Sequence, residues 1–353
     1  MQLSEYDMAV VRLREQRKGN LTAVSTKRRS TMSDEWVRND LKSQFGDSCW
    51  TFHERFSGYG ETEDMMHLNS LLFERMNQTS QRQTVLFRTD HRNALTPNAT
   101  LHLQALLVES AIDSTMDFHI VMDVGDRPLT EEQFQKLKEE KMPPQFWPFV
   151  IQMDTNTVRN DYPLFRSNWN DGHAQLSLIA RTIIPQYDFY WLVENDVRLI
   201  GSWADVFKEV KRQWTEAKLL EWPDVVNFNF IGPSGREWPL YCNIDNPYNG
   251  FNFLAGWSRR MMDDIKQWTT SNSFPCNIEC VPNTLAVRSN RTLFITEIPQ
   301  VAKNYTAKDM YDNGGTKNTF SWSGVAGDYW REFRDEKKCA KFTFVHPVKA
   351  DAG

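Results

Sequence analysis

The chain reads as an α/β fold: a mostly parallel sheet covered by helices on both faces. Three observations predict it. From residue 84 onward, short β-rich apolar runs alternate with helix-length stretches, the pattern of strands joined by crossover helices. Three of those strands end in acids, at Asp90, at Asp123 with Asp126, and at Glu194 with Asp196. Such sheets bind ligands outside the carboxyl ends of their strands, so these acids form a candidate rim. The length of 353 residues suits one large domain or two lobes.

The elements follow in order. TVLFRTD (84–90) is the first strand. LTPNATLHLQALLVESAID (95–113) is a helix with Thr96 as its cap and Pro97 at its first position. DFHIVMDVGD (117–126) is the second strand, and LTEEQFQKLKEEK (129–141) a helix capped by Thr130. PFVIQMD (148–154) is the third strand. DGHAQLSLIARTIIP (171–185) is a helix stopped by Pro185. YDFYWLVENDV (187–197) is the fourth strand and GSWADVFKEVKRQW (201–214) the next helix. PDVVNFNF (223–230) and TLFITEIP (292–299) are strands flanking the helix SRRMMDDIKQW (258–268). FTFVHPV (342–348) is a last strand. Residues 1–80 are polar, charged and weakly periodic. They are expected to form an N-terminal extension or stem, partly flexible, with a short helix over Asp34–Phe45. Residues 81–353 are the expected main domain.

Composition excludes several classes. Hydrophobic residues make up 40% and charged residues 25%, an ordinary globular balance. Mean hydropathy is −0.58, and no apolar run approaches the ~18–20 residues of a membrane span. A net charge of −5 argues against a general nucleic-acid binder. The 13 tryptophans are open between buried core and rings that stack on sugars or bases. The five cysteines, Cys49, Cys242, Cys276, Cys280 and Cys339, are an odd number, so at least one thiol stays free or pairs outside the chain. The four-residue step from Cys276 to Cys280 is not a zinc-ribbon gap. A disulfide among Cys242, Cys276 and Cys280 is left open. Sequons at Asn20, Asn77, Asn98, Asn290 and Asn304 tilt toward the secretory pathway. No signal peptide or anchor is visible in the opening residues. The expected location is the Golgi or ER lumen if an upstream anchor lies outside this chain, and the cytoplasm otherwise.

Four stretches could carry chemistry. In WLVENDVRLIGSW (191–203) a strand runs into Glu194, Asn195 and Asp196. In extended backbone Glu194 and Asp196 point to the same side. Paired carboxylates repel unless a cation offsets them, and Mg²⁺ or Mn²⁺ takes one or two carboxylates plus substrate phosphates. The bland alternative is a strand-end turn with Glu194 paired to Arg198. In FTFVHPVK (342–349) His346 is a candidate ligand for a Mn²⁺-class metal or a structural histidine. In CNIECVPNTLA (276–286) Glu279 is either a general base for an acceptor hydroxyl or a carboxylate favouring a helix N-terminus. LLEWPDVVNFNFIGPSGREWPLY (219–241) carries Trp222, Asp224 and Trp238, residue types that suit polyhydroxylated acceptors or a loop with core tryptophans. No phosphate-binding loop, zinc-protease helix or nucleophile elbow is present.

These stretches carry a resemblance. FYWLVENDVRLIGSW, EWPDVVNFNF with REWPLY, WSRRMM, IECVPNTLA and VHPVK, in that order, resemble a fungal and algal domain-of-unknown-function family often mislabelled as major-facilitator transporters. That family looks like nucleotide-sugar glycosyltransferases of the GT-A fold, and the resemblance covers roughly residues 83–349. It implies a GT-A-like sheet and a site in which Glu194, Asp196 and His346 hold Mn²⁺ or Mg²⁺ and the donor diphosphate. It implies Glu279 as the base of an inverting reaction, and Arg88 and Asp123 as contacts to the nucleotide, with Arg198 beside them. The acidic triplet reads Glu-Asn-Asp rather than Asp-any-Asp, a departure from the GT-A pattern. The expected function is transfer of a sugar from a nucleotide-sugar donor to a glycan or protein acceptor. The rival readings are a catalytically degenerate sugar-nucleotide or glycan-binding protein, and a metal-dependent phosphohydrolase.

Overall fold

The computed structural model describes residues 8–9, 38–40, 49–60, 62–78, 81–166, 171–216, 222–233, 248–271, 278, 280–297, 325–335, 339–346 and 348. The short strands β1 (Arg38–Asp40) and β2 (Cys49–Trp50) come first, followed by helices α1 (Phe52–Phe56) and α2 (Glu63–Gln78). The first α/β units are β3 (Gln83–Asp90), α3 (Pro97–Val108), β4 (Asp117–Asp123), α4 (Glu131–Lys141), β5 (Val150–Met153), α5 (Thr155–Asp161) and α6 (Gly172–Leu178). Then come β6 (Phe189–Glu194), β7 (Arg198–Ile200), α7 (Trp203–Glu216), β8 (Val225–Pro233) and β9 (Tyr248–Ser258). The remainder is α8 (Arg259–Ser271), α9 (Val281–Arg288), β10 (Leu293–Glu297), α10 (Val325–Asp335), β11 (Ala340–Lys341) and β12 (Thr343–Val345).

Local chemistry accounts for the helix starts. The Thr96 hydroxyl accepts from the Ala99 amide and Pro97 opens α3. Thr130 and Gln133 form a reciprocal capping box on α4, and Thr51 with Glu54 does the same for α1. Each cap satisfies amides that have no partner within the helix.

The main sheet has the order β1-β10-β8-β9-β6-β3-β4-β5. Every neighbouring pair is parallel except those made by β9, which runs antiparallel to both β6 and β8. The expected α/β class, a mostly parallel sheet flanked by helices, is what the chain adopts. From β3 the chain steps outward to β4 and β5, then crosses back to lay β6 on the other side of β3. The carboxyl ends of β3 and β6 therefore flank the point where strand order reverses, and a crevice opens there.

Two aromatic-rich cores cover the two sheet faces. Trp191, Trp203, Trp214 and Trp330 belong to one, and Trp257 to the other. For these five tryptophans the core reading holds. Residues 49–78 also join the packed domain: Phe56, Tyr59, Met65, Leu68 and Leu72 are buried in the first core. Packed structure thus begins well before residue 80, where the extension was expected to end. The exposed, polar face of α2 gave that stretch its stem-like composition. A disulfide joins Cys49 to Cys339 and ties β2 to β11, which pair antiparallel. Cys280 is buried, with its Sγ 3.6 Å from the Thr284 hydroxyl; Cys242 and Cys276, the other two cysteines of the disulfide left open, lie outside the described residues. The expected helix over Asp34–Phe45 is a strand where it is described, Arg38–Asp40, paired with β10. No described helix is long and apolar enough to cross a membrane.

Candidate functional site

The acidic stretch lies at the carboxyl end of β6. The strand stops at Glu194, and the chain turns through Asn195 and Asp196, with the Val197 amide donating to the Glu194 carbonyl at 3.2 Å. Glu194 and Asp196 thus converge through a turn rather than through the pleat of an extended strand. Buried Arg198 supports that turn from below. Its Nη1 donates to the carbonyls of Asn195 at 2.6 Å and Val197 at 3.0 Å. Arg198 lines the cleft, where it was expected as a donor contact, and its Nη1 also braces the turn. The alternative pairing of Glu194 with Arg198 is not what the structure shows, because Glu194 pairs with Arg88.

His346 arrives from the other end of the chain. β12 pairs antiparallel with β7, with Val345 opposite Arg198, so the next residue falls beside Asp196. Gly201 makes this docking close: its φ of +130° and the Phe342 ring against it leave no room for a Cβ. The Val348 amide then donates to the Asp196 carbonyl at 2.8 Å. The imidazole lies nearly parallel to the Phe253 ring, 4.7 Å between centroids. Its Nε2 is 3.4 Å from Asp196 Oδ1 and 3.7 Å from Glu194 Oε2.

Glu194, Asp196 and His346 each bring one ligand-capable atom within 4.8 Å of the others. Two carboxylate charges that close repel by on the order of 3 kcal/mol at the effective dielectric of a protein site. The cluster answers with the cations at hand. Arg88 Nη1 reaches Glu194 Oε1 at 3.3 Å. Burial alone would lower the His346 pKa, but the Asp196 charge and hydrogen bond, then Glu194, outweigh it and raise it to about 9. An imidazolium thus stands where a divalent cation would balance the same carboxylates. Two carboxylates and an imidazole are a suitable donor set for Mn²⁺ or Mg²⁺.

The cluster opens onto a cleft of about 860 Å³. Guanidinium groups from Arg88, Arg159 and Arg166 line it together with Asp90, Asp123 and Asp126. Arg88 owes its position to Gly172 at the start of α6. A Cβ there would lie 2.6 Å from Nη2 and 2.7 Å from Nη1. Arg166 grips the buried Asp171 carboxylate with two nitrogens, at 2.7 and 3.1 Å. Asp123 is at the rim as expected, where it accepts from the Gly125 amide at 2.9 Å and shapes the loop after β4.

Of the expected residues, the structure therefore brings together Arg88, Asp123, Glu194, Asp196, Arg198 and His346. It does not bring Trp222 or Asp224. Val225 and Tyr190 are both level with Trp257 across the sheet, so β8 begins at the end opposite the cleft. Asp224 there is fully buried and bonded by Arg260, Ser258 and the Thr292 amide. Trp222 packs on Phe189 and Trp214. Both are corrected to structural roles. Glu279 and Trp238 lie outside the described residues. Sequence reasoning missed Arg159, Arg166 and Gln175 of the cleft wall and Gly172 behind Arg88. The DGHAQ stretch held the one available signal, a glycine at a helix start, where glycine is not required by the cap itself.

The chain matches, over residues 47–218, a family described as "Protein of unknown function (DUF3405)". No curated protein matches it. Among solved structures it is similar to a 4-diphosphocytidyl-2C-methyl-D-erythritol synthase from Anaerococcus prevotii, at 8% identity and a TM-score of 0.34, covering 62% of this chain and 87% of that one. It is also similar to a protein from Bacillus anthracis assigned as a glucose-1-phosphate thymidylyltransferase and solved with sucrose, at 11% identity and a TM-score of 0.35, covering 61% and 87%.

Proposed function

We propose that the protein is a metal-dependent glycosyltransferase that moves a sugar from a nucleotide-diphosphate donor to a hydroxyl of a glycan or glycoprotein acceptor. One observation carries this reading: Glu194, Asp196 and His346 converge within 4.8 Å at the strand-order switch point, on a cleft walled by arginines. Asp196 and His346 would hold Mn²⁺ or Mg²⁺, with Glu194 in contact with it or with its water. When bound, such an ion supplies electrostatic stabilisation of the departing diphosphate. Arg88, already at the cluster, is placed to share that charge through its planar fork. Glu279 is the proposed base if the reaction inverts. Maturation in the ER or Golgi lumen fits the Cys49–Cys339 disulfide, a bond that is rare in the cytosol, and exposed sequon asparagines at Asn77 and Asn290.

The test is calorimetry with UDP- and GDP-sugars, with and without Mn²⁺, on the wild type and Asp196→Ala. Binding that needs both Mn²⁺ and Asp196, followed by nucleotide release on adding acceptor glycans, is the expected result. No binding of any nucleotide sugar by the wild type would overturn the reading.

A further inference from the structure

The cleft wall holds a buried hydrogen-bond donor with no partner among the described residues. Gln175 lines the cleft and is 2% exposed. Among the described residues its Nε2 has no hydrogen-bond partner. Native structures seldom keep a buried amide unpaired without a reason, because the group loses water and gains nothing in return.

Its place in the fold indicates what it serves. Gln175 sits on α6 one turn after Gly172, so the two share a helix face. Gly172 is the residue against which the Arg88 guanidinium lies, and Arg88 in turn reaches Glu194. The amide therefore stands on the wall that leads to the carboxylate cluster. The charged donors of that wall, Arg88, Arg159 and Arg166, suit phosphate oxygens. A carboxamide is neutral and adds little for a phosphate that guanidiniums already face. It discriminates strongly for a neutral acceptor, because a ligand lacking the matching oxygen leaves the amide buried and unpaired.

We propose that Gln175 is a specificity-determining residue, donating from Nε2 to a hydroxyl oxygen of the sugar carried by a nucleotide diphosphate in this cleft. The proposal rests on the glycosyltransferase reading and narrows it to one contact with the transferred group.

The test uses the full chain with Mn²⁺ and compares the wild type with Gln175→Met and Gln175→Glu. Gln175→Met keeps the length and removes the donor. Gln175→Glu keeps the shape and, ionised, can only accept. Calorimetry reads Mn²⁺ alone, UDP, GDP, and a panel of UDP-glucose, UDP-galactose, GDP-mannose and GDP-fucose. Expected is an unchanged affinity for Mn²⁺ and free nucleotide, which also shows that the variants fold. The ratio of nucleotide-sugar to free-nucleotide affinity should fall about 10- to 100-fold in both. An unchanged ratio overturns the role of Gln175 and leaves the transferase reading standing. Loss of Mn²⁺ and nucleotide binding together with the sugar makes Gln175 a structural residue and overturns it too. A wild type that binds no member of the panel overturns both readings.

Discussion

Two buried carboxylate sites occupy opposite ends of the same sheet, and they are built on opposite terms. At the amino end of β8, Asp224 accepts four hydrogen bonds of 2.7 to 3.0 Å, two from Arg260, one from Ser258 and one from the Thr292 amide. Burial would push its pKa up, but Arg260, Thr292 and Ser258 outweigh it and hold it below the usual value. At the carboxyl end of β6, Glu194 and Asp196 meet His346 and Arg88 at 3.3 to 3.7 Å, too long for good charge-assisted bonds. The first site is saturated and locks a strand start to α8. The second meets these partners at longer range and faces a cleft. A short, fully partnered acid is a stability device, whereas a loosely partnered pair of acids is a receptor for something else.

The sharpest way to break that contrast is to delete one acid at each end. Asp224→Ala takes a buried carboxylate away from the Thr292 amide, the Ser258 hydroxyl and the half-exposed Arg260 and should cost about 2–3 kcal/mol of unfolding free energy in urea. Asp196→Ala relieves a repulsion with Glu194 while removing the main partner of His346, two effects of opposite sign, and should cost less than Asp224→Ala. Equal losses in the two variants would erase the distinction. The effects reverse when the readout is metal. Asp196→Ala should weaken Mn²⁺ binding at least about 100-fold, while a conservative Asp224→Asn should leave it unchanged, both by calorimetry.

A third experiment uses pH. Metal needs the neutral imidazole, and His346 is raised to about 9 without it. Mn²⁺ affinity should therefore climb about tenfold per pH unit from roughly 6.5 toward 9 and then level off. His346→Gln should flatten that slope. The stability sign is the opposite. A folded pKa above the unfolded one stabilises the metal-free protein fully below about 6.5, and this contribution is lost as pH rises through 9. At the amino end, the lowered Asp224 pKa gives stability that is present above its ordinary value of 3.8 and lost on acidification below it. A melting-temperature profile that rises between pH 6.5 and 9 in the metal-free protein would contradict the charge assignment at His346.

The smallest expected effect is at Gly172→Ala. The new Cβ meets only the far end of the Arg88 side chain, which can move, so unfolding free energy should change by less than about 1 kcal/mol. Nucleotide affinity should drop more, because Arg88 leaves its place beside Glu194. A large stability loss with intact nucleotide binding would reverse the argument about what Gly172 is for.

This contrast also marks what the sequence could and could not tell. Strand ends rich in acid were visible because β3, β4 and β6 are apolar runs that stop at charge, and the carboxyl-end rule then locates the rim. Which end of the sheet an acid occupies depends on strand direction, and that is why Asp224, beside a tryptophan, read as an acceptor contact. Its strand does run parallel to β6, but Asp224 precedes the strand instead of following it. Strand β9, YNGFNFLAGWS, escaped notice because two asparagines and two glycines dilute its β signal. The Cys49–Cys339 pair, separated by 290 positions, offered no spacing to read. The nearness of His346 to Asp196 came through family resemblance, since only the β7–β12 register makes it physical.

The origin of His346 in β12 has a consequence for how the protein comes into being. Sheet, arginine wall and both carboxylates are encoded upstream of the strand that delivers the imidazole and of Cys339, which anchors β11 to β2. During synthesis the cleft is complete in its walls before it is complete in its ligands. A fragment cut between α10 and β12 would keep most of the scaffold and lack the third ligand. The full ligand set is thus present only in a chain made and folded through β12.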